Sequence, residues 1–138
     1  MAANPIKVIL DTNILISAIG FGGKPRKVLH LILDDKIEAV TSPILMAELE
    51  DVVYKKFPKL AYNFSLIDPQ IQDKFKIVKP KKSLLVARDN DDNRVLEAAF
   101  AGKCDYIITG DKDLLDLKNY KNIKIVTPDI FLSNILTD

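Results

Sequence analysis

Two acidic residues follow short apolar runs at distant points of the sequence. Asp11 comes directly after Val8-Ile9-Leu10, and Asp111 comes three residues after the run Tyr106-Ile107-Ile108. A short run of branched apolar residues is typical of a buried parallel strand, and the ligands of open α/β sheets bind where such strands end. We therefore expect the two carboxylates to share one polar pocket.

Two further acids are placed where helical periodicity turns them toward the core. On a helix predicted to begin at Pro43, Glu48 lies at the edge of the apolar stripe, whereas Glu50 faces solvent. Asp92 lies three residues before Val95, above the apolar face in the first turn of another predicted helix. Capping and the helix dipole would also explain an isolated acid there. Four such acids in one chain favour a common site.

A pocket that gathers Asp11, Glu48, Asp92 and Asp111 needs a compensating charge. Two carboxylates about 4 Å apart repel by roughly 4 kcal/mol at an effective dielectric constant of about 20. Oxygen ligands suit Mg²⁺ or Mn²⁺, and phosphates commonly complete the coordination of such ions. The chemistry that this favours is phosphodiester hydrolysis by two metal ions, one activating water and the other stabilising the leaving oxygen. No protein nucleophile is then required.

Composition limits the class of protein. The chain has 138 residues, a net charge of +1, 48% hydrophobic and 28% charged residues, which fits one globular domain. No apolar stretch approaches the roughly 20 residues that span a bilayer, and the first residues do not resemble a signal peptide, so we expect a cytoplasmic protein without membrane contact. Cys104 is the single cysteine and is expected to be a small buried filler. The single histidine, His30, is expected to be structural.

The segment from Lys55 to Arg88 is strongly basic. It holds nine basic residues against only two acids, Asp68 and Asp73. The bases are Lys55, Lys56, Lys59, Lys74, Lys76, Lys79, Lys81, Lys82 and Arg88. Phe57, Tyr62, Phe64 and Phe75 interleave with them, a composition suited to contacts with a nucleic-acid backbone and to base stacking. The alternative is a solvated, loop-rich insert with its aromatic side chains turned inward, and the sequence leaves both open.

Strand and helix signals alternate along the chain. Strands are predicted at 6–10, 37–41, 76–79, 105–109 and 123–127. Helices are predicted at 14–19, 25–35, 43–56, 69–75, 92–101 and 114–117 and after Pro128, while 57–67 is unassigned. This order predicts an α/β fold, a single domain over 1–138, with a mostly parallel sheet of about five strands and helices on both faces.

Four segments, in this order, carry a family resemblance. They are Val8 to Asn13, Ser42-Pro43 leading to Glu48-Leu49, Arg88 to Asp92 leading into Val95 to Ala99, and Ile107 to Leu115. Together they resemble the PIN-domain ribonucleases, especially the VapC-like toxins of type II toxin–antitoxin pairs. The resemblance runs from Lys7 to about Leu132. It implies a PIN-like fold, Mg²⁺- or Mn²⁺-dependent cleavage of single-stranded RNA, homodimers, and an antitoxin that blocks the site.

The resemblance also implies roles for individual residues. Asp11 would be the central metal ligand, Glu48 the second, Asp92 the third and Asp111 the fourth. Asn13 and Thr109 would orient these acids. Candidate phosphate contacts are Lys24, Arg26, Arg94 and Lys112, each with an ordinary solvated charge as its alternative.

One departure from the family pattern concerns the acidic cluster before the 92–101 helix. Relatives often carry a proline after the first acid of this cluster, where this chain has Asn90. Asp89 and Asp91 therefore remain alternatives to Asp92 as the third metal ligand, although Asp92 has the best helical phase. Asp113 is a further alternative ligand, although we expect it to cap a short helix.

Two other functional classes remain. One is a catalytically weak nucleic-acid-binding or assembly module of the same family. The other is a different Mg²⁺-dependent α/β protein, such as a phosphatase or a receiver domain. Phosphatases of that kind need a second Asp two residues after the first, where this chain has Asn13. A receiver domain needs an Asp on a central strand that the 37–41 segment does not offer.

Overall fold

The computed structural model describes residues 5–81 and 90–136, with the backbone only at Asn90. Its strands are β1 (Lys7–Leu10), β2 (Glu38–Thr41), β3 (Lys76–Ile77), β4 (Tyr106–Ile108), β5 (Asn119–Tyr120) and β6 (Ile123–Val126). Its α-helices are α1 (Thr12–Gly20), α2 (Gly23–Leu33), α3 (Pro43–Lys56), α4 (Ala61–Lys74), α5 (Asn90–Ala101), α6 (Lys112–Leu117) and α7 (Pro128–Ile130). A 3₁₀ turn at Pro58–Leu60 precedes α4, and a π-helical turn at Phe131–Ile135 follows α7.

The strands form one sheet in the order β3-β2-β1-β4-β6-β5. Every pairing is parallel except that of β5 with β6. The described residues thus hold six strands rather than about five, because a tight hairpin adds β5 at the edge. Its two turn residues, Lys121 and Asn122, have φ angles of 47° and 69°, the conformation that joins antiparallel strands through two residues.

The strand register brings the carboxyl ends of the central strands together. β1 lies between β2 and β4, with Ile9 opposite Val40 and Leu10 opposite Ile108. Ile108 is in turn opposite Val126 of β6. The residues that follow these strands therefore emerge side by side at one edge of the sheet, where α/β proteins bind ligands.

The core lies on both faces of the sheet, as the sequence predicts. Along β1, Val8 and Leu10 pack into a cluster with α1, α2, α3 and α4, whereas Ile9 packs into a second cluster with α5. This alternation follows from the two-residue period of a strand. The two clusters fix the helices on either side of the site.

The prediction of a helix beginning at Pro69 is wrong. Pro69 lies inside α4, which already begins at Ala61. Proline removes one backbone donor from a helix and is usually unfavourable there. Here the burial of Phe64 and Ile71, seven residues apart on one face, outweighs that cost.

Of the basic segment, the structure describes residues 55–81, and most of these lie in helices α3 and α4, so the alternative of a loop-rich insert is wrong for this part. Phe64 and Phe75 are buried, Phe57 is half-buried, and Tyr62 is 70% exposed. The inward alternative is therefore correct for Phe64 and Phe75, which cannot stack on a nucleobase. Lys82 and Arg88 of this segment lie outside the described residues.

The remaining single residues have simple environments. Cys104 is buried, and burial raises the pKa of its thiol to about 12, which agrees with the expected filler role. His30 is exposed on α2. Among the residues that the structure describes, no helix combines the length and the hydrophobicity needed to cross a membrane.

Candidate active site

The structure brings four widely separated acids to one pocket. Asp11, Glu48, Asp92 and Asp111 all line a pocket of about 100 Å³ at the carboxyl edge of the sheet. Thr12, Asn13, Asp91 and Val95 complete its lining. The acids come from the end of β1, from α3, from the start of α5 and from the residue before α6. The predicted convergence of these side chains is therefore present in the fold.

Asp11 is the most buried acid of the pocket, with 7% of its surface exposed. It is the N-cap of α1, and its Oδ1 accepts a hydrogen bond from the backbone N–H of Ile14 at 2.9 Å. Burial raises the pKa of the Asp11 carboxyl above its ordinary value, and repulsion from Asp111 adds to the effect. Hydrogen bonds from Thr109 and Ile14 lower the pKa of Asp11 and offset part of this rise. The site therefore penalises the negative charge that it holds.

Thr109 connects Asp11 to Asp111. Its fully buried hydroxyl donates to Asp11 Oδ2 and accepts the backbone N–H of Asp111 at 2.9 Å. Its own backbone N–H donates to the carbonyl oxygen of Val126 at 2.9 Å, which fixes it to β6. Asn13, the other residue expected to orient the acids, lines the pocket but is exposed.

Asp111 is the N-cap of α6. Its Oδ2 accepts the backbone N–H of Leu114 at 3.1 Å, so the expectation that Asp113 caps this helix is wrong. Asp113 instead lies in the first turn, where a negative charge is favoured by the helix dipole. The pocket lining, as far as the structure describes it, does not include Asp113.

The two helical acids differ from their neighbours in exposure. Glu48 is half-buried and lines the pocket, whereas Glu50 is exposed, as helical phase predicts. Asp92 is 9% exposed, whereas Asp91 lines the same pocket but is exposed. Asp89, the third alternative, lies outside the described residues.

The pocket lining, within the described residues, includes none of the four candidate phosphate contacts. Lys24 forms an ion pair with Asp129. The Arg26 guanidinium donates to two carbonyl oxygens at the end of α1, those of Ala18 at 2.9 Å and Ile19 at 3.2 Å.

Arg94 and Lys112 complete this group of candidates. Arg94 forms an ion pair with the buried Glu97 at 2.7 Å, a contact that the sequence analysis missed although the i, i+3 spacing permits it. Lys112 is exposed and directly follows Asp111. Three of the four candidates are thus engaged in contacts within the protein.

The donor set suits a hard divalent cation. The acids supply oxygen ligands, and a cation would relieve both the burial cost at Asp11 and its repulsion from Asp111. Within residues 5–81 and 90–136, however, no three acidic, histidine or cysteine side chains already surround one point closely enough to hold an ion.

Comparison with solved structures identifies the same fold in other proteins. The crystal structure of VapBC2 from Rickettsia felis, bound to a DNA fragment from their promoter, aligns with a TM-score of 0.61 and 20% identity, covering 87% of this chain and 97% of that chain. The crystal structure of FitAcB from Neisseria gonorrhoeae aligns with a TM-score of 0.56 and 18% identity, covering 88% of this chain and 97% of that chain.

Sequence comparison extends beyond the fold. An uncharacterised protein of Methanocaldococcus jannaschii, MJ1680, is 37% identical over 141 residues, covering 92% of this chain and 90% of that protein. Residues 7–113 match the sequence profile of the PIN domain, a range that includes all four acids of the pocket. The chain therefore belongs to the PIN-domain family.

Proposed function

We propose that this protein is an endoribonuclease that hydrolyses phosphodiester bonds of single-stranded RNA with Mg²⁺ or Mn²⁺. The observation that carries the proposal is the convergence of Asp11, Glu48, Asp92 and Asp111 on one pocket. Membership of the PIN-domain family supports it, because these domains are generally nucleases. The four acids are the proposed metal ligands, and we propose that they bind two divalent ions.

The proposed roles follow from how each side chain is held. Asp11 is fixed by the hydroxyl of Thr109 and the N–H of Ile14, so it presents its carboxylate to the pocket in one orientation. Thr109 is proposed to orient Asp11 and Asp111 together. When bound, the ions would lower the pKa of a water molecule and stabilise the leaving oxygen. No side-chain nucleophile is needed.

The size of the pocket suits small ions. Its volume is about 100 Å³. Metal ions together with a phosphate oxygen of the RNA backbone fit this space. The choice of single-stranded RNA as the substrate rests on the family resemblance of the motifs.

We further propose that the protein is the toxin of a toxin–antitoxin pair, acting as a homodimer and inhibited by a cognate antitoxin. The family resemblance of its motifs supports this, and the shared fold with VapBC2 agrees with it. The proposal predicts an adjacent gene for a small DNA-binding protein. Co-expression of that protein should relieve growth inhibition by this chain, and undiminished inhibition would contradict the pairing.

The test of the enzymatic proposal is cleavage of a fluorescent single-stranded RNA by metal-stripped protein with added Mn²⁺ or Mg²⁺. We expect cleavage that depends on the added ion and is abolished in Asp11→Asn, which keeps an oxygen for the Ile14 N–H. The matched control is Asp116→Asn, which removes an exposed carboxylate of α6. Undiminished cleavage by Asp11→Asn would contradict the mechanism. Absence of cleavage by the wild type would favour the alternative of a binding or assembly module.

A further inference from the structure

A cleft lies on the α5 face of the sheet, at the other end of α5 from the pocket of the four acids, which we call the metal pocket after its proposed role. Its volume is about 610 Å³, and it runs between the β3 segment and the end of α5. We call it the lysine cleft, after Lys76, Lys79, Lys81 and Lys121, which line it together with Phe100 and Glu97. We propose that the lysine cleft binds the sugar–phosphate backbone of single-stranded RNA outside the metal pocket.

The charge of the cleft favours a polyanion. Four lysines line it, and Glu97 is the acid among the lining residues that the structure describes. The Glu97 carboxylate is buried and is already neutralised by Arg94, whose guanidinium lies 2.7 Å away. The cleft therefore presents a net positive charge, and neutralising phosphates there would release counterions into the solvent.

An exposed aromatic ring completes the surface. Phe100, near the end of α5, is 52% exposed. Lys121 Nζ lies 4.6 Å from the centre of this ring. The tight β5–β6 turn fixes the backbone of Lys121, whose φ angle is 47°. The ammonium group lies over one face of the ring, so a base would stack on the ring surface that Lys121 leaves exposed while the ammonium group contacts a neighbouring phosphate.

The position of the cleft relates it to the proposed catalytic site. Helix α5 begins with Asp91 and Asp92 in the metal pocket and ends with Phe100 and Ala101 in the lysine cleft. The eight residue steps from Asp92 to Phe100 rise about 12 Å along the helix axis. One RNA strand is long enough to reach both places. The inference that the bound polyanion is the substrate rests on the proposed ribonuclease function.

The first test measures RNA binding without cleavage. Full-length protein in EDTA is titrated into a fluorescent 20-nucleotide oligouridylate at several KCl concentrations. The test variant is Lys79→Glu/Lys81→Glu, and the matched control is Lys27→Glu/Lys36→Glu, which changes two exposed lysines outside the cleft by the same total charge. We expect the Kd of the test variant to rise at least about tenfold, and its salt dependence to weaken by about 1.4 in logarithmic slope for two lost contacts.

The same titration tests the aromatic contact. We expect Phe100→Ala to weaken binding while leaving the slope of the salt dependence unchanged, because it removes stacking and no charge. If Lys79→Glu/Lys81→Glu binds RNA with the same Kd and the same salt-dependence slope as the control Lys27→Glu/Lys36→Glu, the proposal is overturned. The cleft would instead be assigned to an acidic protein by two results together. Poly-glutamate would bind as tightly as RNA and depend on the lysines, and Phe100→Ala would have no effect.

The second test separates the cleft from the catalytic site. With added Mn²⁺, we expect Lys79→Glu/Lys81→Glu to raise the KM for the 20-nucleotide substrate and to leave cleavage of a uridine dinucleotide unchanged, because the short substrate does not reach the cleft. An unchanged KM for the long substrate would overturn the proposal. If the wild type cleaves neither substrate but loses RNA binding in the cleft variant, the ribonuclease proposal fails and the binding site stands.

Discussion

The Thr109 hydroxyl donates a hydrogen bond to Asp11 Oδ2, although the two residues are 98 positions apart in the sequence. The hydroxyl oxygen of Thr109 itself accepts the backbone N–H of Asp111 at 2.9 Å. One buried hydroxyl thus ties the acid after β1 to the acid before α6. Residues of neighbouring parallel strands can meet in this way because their carboxyl ends share an edge.

We predict that Thr109→Val lowers both stability and metal affinity. Valine has nearly the same shape but leaves the N–H of Asp111 without its acceptor and removes the donor to Asp11. The loss of buried hydrogen bonds should reduce the free energy of unfolding by about 1–3 kcal/mol, measured by urea denaturation without metal. Mn²⁺ affinity should fall by about 10- to 100-fold. Thr109→Ser, which keeps the hydroxyl, should behave nearly as wild type; equal losses in both variants would contradict the role of the hydroxyl.

We predict that metal-free protein loses stability as pH rises from acidic to neutral values because of Asp11. Burial, with repulsion from Asp111, raises the folded-state pKa of Asp11 above its ordinary value of 3.8. Below both pKa values the group is protonated in the folded and unfolded states and costs nothing. As pH rises through the folded pKa, ionisation favours the unfolded state.

The check is thermal unfolding of the Asp11→Asn variant in EDTA across pH. At neutral pH, Asp11→Asn should melt at a higher temperature than wild type, and the difference should shrink toward pH 3.8 and below. The control Asp116→Asn, at an exposed position, should follow wild type at every pH. A lower melting temperature for Asp11→Asn at neutral pH would show that the site does not penalise the charge.

The convergence of the acids is largely visible in the sequence. The apolar runs before Asp11 and Asp111 mark the ends of β1 and β4, and parallel pairing then brings these ends together. Helical phase separates Glu48 from Glu50 because it depends only on local periodicity. Apolar runs and helical periodicity depend only on neighbouring residues, so a single sequence is enough to recognise them.

The parts that the sequence missed depend on tertiary contacts. Helix α4 continues through Pro69 because Phe64 and Ile71 are buried against other helices, and no local signal reports that burial. Strand β5 has two residues and exists because the turn at Lys121 and Asn122 folds it onto β6. The predicted cap of α6, Asp113, lies two residues after the observed cap, Asp111. Sequence alone did not separate them, since both acids occupy plausible capping positions.

We predict that Asp92, rather than Asp91, contributes to metal binding. Asp92 is 9% exposed, whereas Asp91 is exposed to solvent, although both line the pocket. In a calorimetric titration, Asp92→Asn should bind Mn²⁺ at least about 10-fold more weakly than the wild type. That is the loss expected even for a residue that only supports a metal ligand. Asp91→Asn is the matched neighbour and should lose clearly less. The reverse order would assign the third ligand to Asp91.

We predict that Gly102→Ala destabilises the fold because it separates α5 from β2. A Cβ atom at position 102 would lie 2.9 Å from Val40 Cγ1 and 3.2 Å from the carbonyl oxygen of Ala98. Overpacking of this kind typically costs about 1–3 kcal/mol, measured as the free energy of unfolding in urea. At Gly110 a Cβ atom would meet nothing within 4 Å, so Gly110→Ala is the control and should change stability little. Equal effects would contradict the close approach at Gly102.

The most direct test of the central claim is a Mn²⁺ titration of metal-free protein, followed by the electron paramagnetic resonance signal of the free ion. We predict saturable binding of one or two ions per chain in the wild type and strongly weakened binding in Asp11→Asn, because Asp11 is the proposed central ligand. Asp116→Asn should bind as the wild type does. Binding that is absent from the wild type, or equal in wild type and Asp11→Asn, would contradict a metal centre built on the pocket of Asp11, Glu48, Asp92 and Asp111.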